Sequence, residues 1–166
     1  FEIDTGPARF VISKGGHFPF SSVETADGAV LDTSQTALLL ENAQAEVHCL
    51  TINDVKITVT GALRVTVQVS GTIGRGASAL NVTAFLHFFA GLVSVRFQLC
   101  VTNPRGAGHP NGHWGFGNAG SVYLRELSLR LALDSAGEAV CYGISPERGH
   151  PISWTQHAVS LYQDSS

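Results

Sequence analysis

Apolar and polar side chains alternate with period two along much of the chain. The clearest run is Arg64 to Ser70, where Val65, Val67 and Val69 fall on one side and Arg64, Thr66, Gln68 and Ser70 on the other. That is the pattern of a strand with one buried face. Just upstream, Val55, Ile57 and Val59 alternate with Lys56, Thr58 and Thr60, and Gly61-Ala62 separates the two runs. This predicts a tight antiparallel hairpin. A second hairpin is written more strongly. Leu80, Val82, Ala84, Leu86 and Phe88 share one face, Ala90-Gly91 interrupts, and Val93, Val95, Phe97, Leu99 and Val101 share a face on the return. Arms of roughly ten residues at ~3.3 Å per residue run about 30 Å, long enough to form the spine of a sandwich or barrel. Phe85, His87 and Phe89 on the other face predict partial burial there as well.

Ser121 to Leu133 reads as another long strand, but its apolar phase shifts from Val122 and Leu124 to Leu127, Leu129, Leu131 and Leu133. A bulge near Arg125-Glu126 reconciles the two phases; the spacing of Leu124, Leu127 and Leu131 leaves a helix as the alternative. Shorter strands are predicted at Ala8 to Ile12, Phe18 to Val23, Ala37 to Glu41, Glu46 to Thr51, Glu138 to Tyr142 and Ala158 to Tyr162. Turn-forming residues stand at Gly15-Gly16, Asp27-Gly28, Asn53-Asp54, Gly74-Arg75-Gly76 and Pro146 to Gly149. No repeat or low-complexity linker interrupts them. The prediction is an all-β fold, an antiparallel β-barrel or β-sandwich, in a single domain over 1–166.

Composition narrows the function. The 166 residues are 44% hydrophobic and only 14% charged, against about 25% charged in an average domain, which excludes disorder. Ten Lys and Arg against thirteen Asp and Glu give a formal charge of -3, with no block of like charge, so nucleic acid and anionic membranes are not predicted partners. The longest apolar stretch, Ala84 to Val95, is broken by His87, Gly91 and Ser94, short of the ~18 to 20 apolar residues of a spanning helix. A soluble chain is predicted. Methionine is absent and the sequence opens directly in strand-like text, as in a processed chain or an excised piece. Cys49, Cys100 and Cys141 have no metal-ligand spacing and read as buried free thiols, or as one disulfide with one thiol left over.

The distinctive segment runs from Asn103 to Gly120, longer than the ~12 to 15 residues beyond which a loop is usually functional or disordered. It is glycine-rich but also holds Trp114, Phe116 and two prolines, which favours an ordered loop packed on its own aromatics. Arg105, His109, His113 and Trp114 form a candidate substrate-binding set, since Arg offers a fork for a carboxylate and an indole offers a face for a pyranose. The alternative has Trp114 plugging one end of the β shell with the histidines in solvent. His109 and His113 stand four apart, but Pro110 and Asn111-Gly112 oppose the helix that would make them converge on zinc, so no metal site is assigned. His17, His48, His87, His150 and His157 are scattered and read as structural. Gly115-x-Gly117-x-x-Gly120 copies a dinucleotide fingerprint without its strand-turn-helix setting, and no Gly-x-Ser-x-Gly elbow occurs. No cofactor is assigned. Asn81-Val82-Thr83 is a glycosylation sequon inside a predicted strand.

Asn103-Pro104, His109-Pro110, Gly112, Trp114, Gly117, Gly120-Ser121-Val122 and Arg125-Glu126-Leu127-Ser128-Leu129 together resemble the N-terminal domain of exo-acting rhamnogalacturonan lyases and their YetA-like relatives. Val59 to Arg64 and the Phe89-Ala90-Gly91 turn extend the similarity, which spans about Arg9 to Leu133. The resemblance implies a RIFT-related barrel standing ahead of a helical catalytic domain of the same full-length chain, which carries the lyase chemistry on pectin. Gly117-Asn118 stands where the family commonly has Gly-Asp, so a carboxylate is missing there. On this reading the chain is an accessory non-catalytic β domain. Its long loop packs against the helical domain or enters a cleft for an acidic oligosaccharide, in an extracellular or periplasmic setting. The alternatives are a free-standing carbohydrate-binding module and a self-contained β hydrolase.

Overall fold

The structure is a computed structural model and describes residues 1–106, 120–134, 140–143, 152–155, 157 and 159. The chain divides into two compact units, Phe1–Ala132 and Leu133–Ser166.

In the first unit, β1 (Glu2–Asp4), β2 (Ala8–Ile12), β3 (Phe20–Thr25) and β4 (Gly28–Ala29) form one sheet in the order β1-β2-β3-β4. A second sheet runs β10-β9-β8-β7, from β7 (Thr51–Thr60), β8 (Arg64–Ile73), β9 (Leu80–Phe89) and β10 (Val95–Thr102). A third has the order β11-β5-β6, from β5 (Ala37–Asn42), β6 (Val47–Cys49) and β11 (Leu124–Arg130). Neighbouring strands pair antiparallel throughout. The strand orders are linear and none of these sheets closes on itself, so the described fold is an all-β sandwich rather than a closed barrel. Among the described residues the only helical element is a single 3-10 turn, Gly76–Ser78.

The alternation predicted for β8 and β9 places the core. Val67, Val69, Leu80, Val82, Ala84, Leu86 and Phe88 are all buried. From the facing sheet come Ala8, Phe10, Ile12, Phe20 and Val23. Phe88 meets Phe10 at 5.0 Å and Phe20 at 6.2 Å between ring centroids, and Phe18 meets Phe97 at 6.1 Å. These contacts hold the two sheets face to face. Burying one such side chain fully contributes roughly 1.5–3 kcal/mol, so this shared layer is the main stabilising element. Phe85, His87 and Phe89 on the opposite face of β9 are half-buried, as their apolar content predicted.

Four local expectations are corrected. Val59 does not share the inward face with Val55: the register shifts between Ile57 and Val59, so Val59 pairs with Thr66 and moves to the other side. Asn53-Asp54 is not a turn but lies inside β7, where the register shifts between Ile52 and Asp54. Thr60 pairs with Val65, so the connection between β7 and β8 is longer than a two-residue hairpin. Cys49 and Cys100 are free thiols but exposed rather than buried, because each sits on the outward side of a strand near a sheet edge. The bulge expected near Arg125-Glu126 is present, between Leu124 and Glu126, and β11 is a strand, not a helix.

In the second unit, β12 (Val140–Tyr142) pairs antiparallel with β13 (Ser153–Thr155). Of the strand predicted at Ala158 to Tyr162 only Val159 is described, and the turn at Pro146 to Gly149 lies outside the described residues.

Candidate functional site

A cleft of about 530 Å³ opens on the first unit between the β2–β3 connection, the segment before β5, and strands β5, β6 and β11. Local sequence explains how its walls are held. Gly15 and Gly16 bend the chain after β2, and the bend is pinned to the start of β7: Gly15 N donates to Ile52 O (2.9 Å) and Ile52 N donates to Gly16 O (3.2 Å). The chain then runs beside β5, with Leu38 N donating to His17 O at 3.1 Å. Phe18 and Phe20, buried and packed edge to face at 5.5 Å, give this wall an aromatic base.

The opposite lip, Thr33 to Thr36, is shaped by one aspartate. Asp32 Oδ1 accepts from the Ser34 amide (3.0 Å) and hydroxyl (2.6 Å), and Oδ2 accepts from Gln35 Nε2 (2.6 Å). These side-chain bonds hold the Asp32 carboxyl below the usual aspartate range, against a smaller opposing effect of desolvation. Buried Thr36 closes the lip onto the end of β11. Its hydroxyl donates to Asp32 O (2.9 Å) and accepts from Ala132 N (3.0 Å), while Asp32 N donates to Ala132 O (2.9 Å).

Two groups give the cleft its chemistry. His17 Nδ1 lies 2.8 Å from Leu50 O; a carbonyl can only accept, so Nδ1 carries the proton and Nε2 is the ring's remaining acceptor. Arg130, brought opposite Ala37 by the β11–β5 register, lines the cleft with its side chain exposed. It makes no ion pair with any described carboxylate; Glu41, the nearest acidic residue of β5, is bound by Arg125 at 3.2 Å. The cleft is also lined by Ser13, Ser21, Thr33, Ser34 and Gln35; the Ser21 hydroxyl donates to Val11 O, and the Ser34 hydroxyl and Gln35 amide donate to Asp32, which leaves their oxygens as acceptors. A planar cation with many neutral donors and acceptors over an aromatic base suits a polyhydroxylated carboxylate. Cys49 also lines the cleft and forms no hydrogen bond with His17, whose Nδ1 is bound to Leu50 O.

Of the loop residues singled out from sequence, Arg105 alone is described. Asn103 Nδ2 and Arg105 Nε both donate to Gly120 O, at 2.7 and 3.3 Å, and Asn103 Oδ1 accepts from the Arg105 amide at 3.1 Å. Asn103 and Arg105 thus clasp the two ends of the long loop. Arg105 Nη2 is buried without a hydrogen-bond partner among the described residues, and Arg105 is not among the described residues lining the cleft. His109, His113 and Trp114 lie outside the described residues. His17 and Arg130 were not predicted from sequence, and no local pattern marks them: one is a lone imidazole in a turn, the other the polar end of a leucine-rich strand.

Among the described residues no group of three His, Cys, Asp or Glu could hold a metal ion, and no helix is long and apolar enough to cross a membrane. No protein-family model, no curated protein and no solved structure matches the chain.

Proposed function

We propose that this chain is an accessory, sugar-acid-binding β domain of a pectin-acting polysaccharide lyase of the rhamnogalacturonan class, with a uronate residue seated in the cleft. The carrying observation is Arg130, a guanidinium without a described carboxylate partner in a cleft ringed by hydroxyls and an amide. Arg130 takes the uronate carboxylate, the lip and Ser13–Ser21 side take ring hydroxyls, and His17 Nε2 accepts from one of them. The link to a lyase rests on the sequence resemblance. In that setting the Asn103–Gly120 loop, its ends clasped by Arg105, serves packing against a helical catalytic domain or a cleft for an acidic oligosaccharide, with His109, His113 and Trp114 as its remaining candidate binding residues, outside the cell or in the periplasm. The second reading, a free-standing carbohydrate-binding module, is favoured by the fact that the described residues lining the cleft all come from Phe1–Ala132.

Calorimetric titration with galacturonate, short oligogalacturonides and neutral galactose tests the reading. Galacturonate should bind, galactose should not, and Arg130→Gln should weaken galacturonate at least tenfold, since a hydrogen bond to a charged partner is worth about 1.5–3 kcal/mol and ~1.4 kcal/mol is tenfold. Equal affinity of wild type and variant would remove the cleft from the recognition site.

A further inference from the structure

We propose that the outward face of the β7–β10 sheet is a platform for a strand of anionic glycan, read along the sheet surface rather than in the cleft. The β8–β9 and β9–β10 registers place Thr66, His87 and Arg96 in one row across the face, and Gln68, Phe85 and Gln98 in the next, with Lys56 extending that row on β7. Arg64 stands opposite Phe89 at the end of β8. Lys56, Arg64 and Arg96 are exposed, and none of them pairs with a described carboxylate. Asp54, the acidic residue of this face, is neutralised by Lys14 at 2.9 Å. A chain of net charge -3 therefore gathers three free cations on one sheet surface.

The groups between the cations are arranged for hydroxyls. Gln98 Oε1 accepts from His87 Nε2 at 2.9 Å, so His87 Nδ1 accepts from the Thr66 hydroxyl at 3.0 Å. This line fixes the imidazole and leaves the Gln98 amide nitrogen as an outward donor. Phe85 and Phe89 stay half-buried on the same face and offer apolar area to a sugar ring.

Strand spacing sets the size of the ligand. With about 4.8 Å between strands and 3.4 Å per residue along them, the three cations stand about 12 to 16 Å apart at their Cα positions. One sugar acid carries a single carboxylate and cannot engage all three of them, whereas a polymer with repeated carboxylates can. Phosphate polymers are held by dense Lys and Arg contacts; here cations are few and interleaved with amide, hydroxyl and aromatic groups, which favours a polyuronate. The proposal extends the sugar-acid reading of the cleft from one residue to a polymer strand and rests on it for the choice of ligand.

The test uses the full chain and the triple variant Lys56→Gln, Arg64→Gln, Arg96→Gln in affinity electrophoresis against polygalacturonate, a neutral galactan and single-stranded RNA, at two salt concentrations. Thermal unfolding checks that the exposed substitutions leave the fold intact, and Gln98→Ala serves as a second variant that keeps all charge. Polygalacturonate should retard the wild type and the galactan should not. The triple variant should lose at least tenfold in affinity and most of the salt dependence, and Gln98→Ala should lose a few-fold with its salt dependence unchanged. Arg130→Gln should lose galacturonate monomer yet retain the salt-dependent part of polymer retardation that the triple variant removes, whereas the triple variant should keep galacturonate monomer binding, so failure of the cleft reading and failure of the platform register in different variants. Unchanged polymer binding by the triple variant, equal retardation by the galactan, or tighter binding of RNA through the same three residues would overturn the platform.

Discussion

Thr36→Val removes one hydroxyl and almost no volume, and its effect can be worked from the lip of the cleft. Thr36 is 2% exposed, so water cannot replace what the hydroxyl does. Two hydrogen bonds disappear, the donation to Asp32 O and the acceptance from Ala132 N, at about 1 kcal/mol net each. Asp32 O keeps the Gln35 amide at 3.2 Å, so Ala132 N is the group left stranded, adding about 1 kcal/mol at a half-buried position. The sum is about 3 kcal/mol. With a urea dependence of about 2 kcal/mol per molar, the unfolding midpoint should fall by about 1.5 M. Thr36→Ser keeps the hydroxyl and should cost only about 1 kcal/mol for the lost methyl. Urea unfolding of the three proteins, with hydrogen exchange at the Ala132 amide, decides the matter: the amide should be protected in wild type and Thr36→Ser and exchange freely in Thr36→Val. A valine variant as stable as the serine variant would show that the hydroxyl does not hold the lip. Because Thr36 lines the cleft, galacturonate affinity should fall with the same variant.

Gly71→Ala should destabilise by about 3 kcal/mol, the upper end of overpacking, because the added Cβ would strike the Thr51 carbonyl oxygen and lie 2.9 Å from Leu50 Cδ1, where the chain passes from one sheet to another; denaturant midpoints close to wild type would contradict that close approach. Ala45 has a φ of 63° in the β5–β6 connection, so Ala45→Gly should stabilise by up to about 1 kcal/mol, seen as a melting temperature raised by about 2–4 °C; a drop would mean that the turn tolerates alanine without strain. Ser34 and Gln35 lower the folded-state pKa of Asp32, as Arg9 does for Glu2 and Lys14 for Asp54. A depressed carboxyl contributes stability above its unfolded value and loses it as pH falls through the folded value, so stability should decline below about pH 4. Asp32→Asn should flatten this decline in urea titrations across that range, and acid limbs parallel to wild type would refute the role of the lip bonds.

Strand direction, pairing and inward face were legible from sequence at β8 and β9, and so was the bulge at Arg125, because side-chain alternation follows from the geometry of a single extended strand. The chemistry of the Asn103–Gly120 loop was legible as an inventory, but beyond the clasp of Asn103 and Arg105 on Gly120 its convergence is not given by local pattern. What tertiary structure alone decided was every property that depends on a second segment. Val59 changes face because β7 slips against β8, Cys49 and Cys100 are exposed because their strands turn that side outward near a sheet edge, and His17 and Arg130 line one cleft because β5 pairs with residues far along the chain. Lys56, Arg64 and Arg96 become one surface for the same reason: alternation tells each residue its side of a strand, but only the register between strands says which neighbours it will have there.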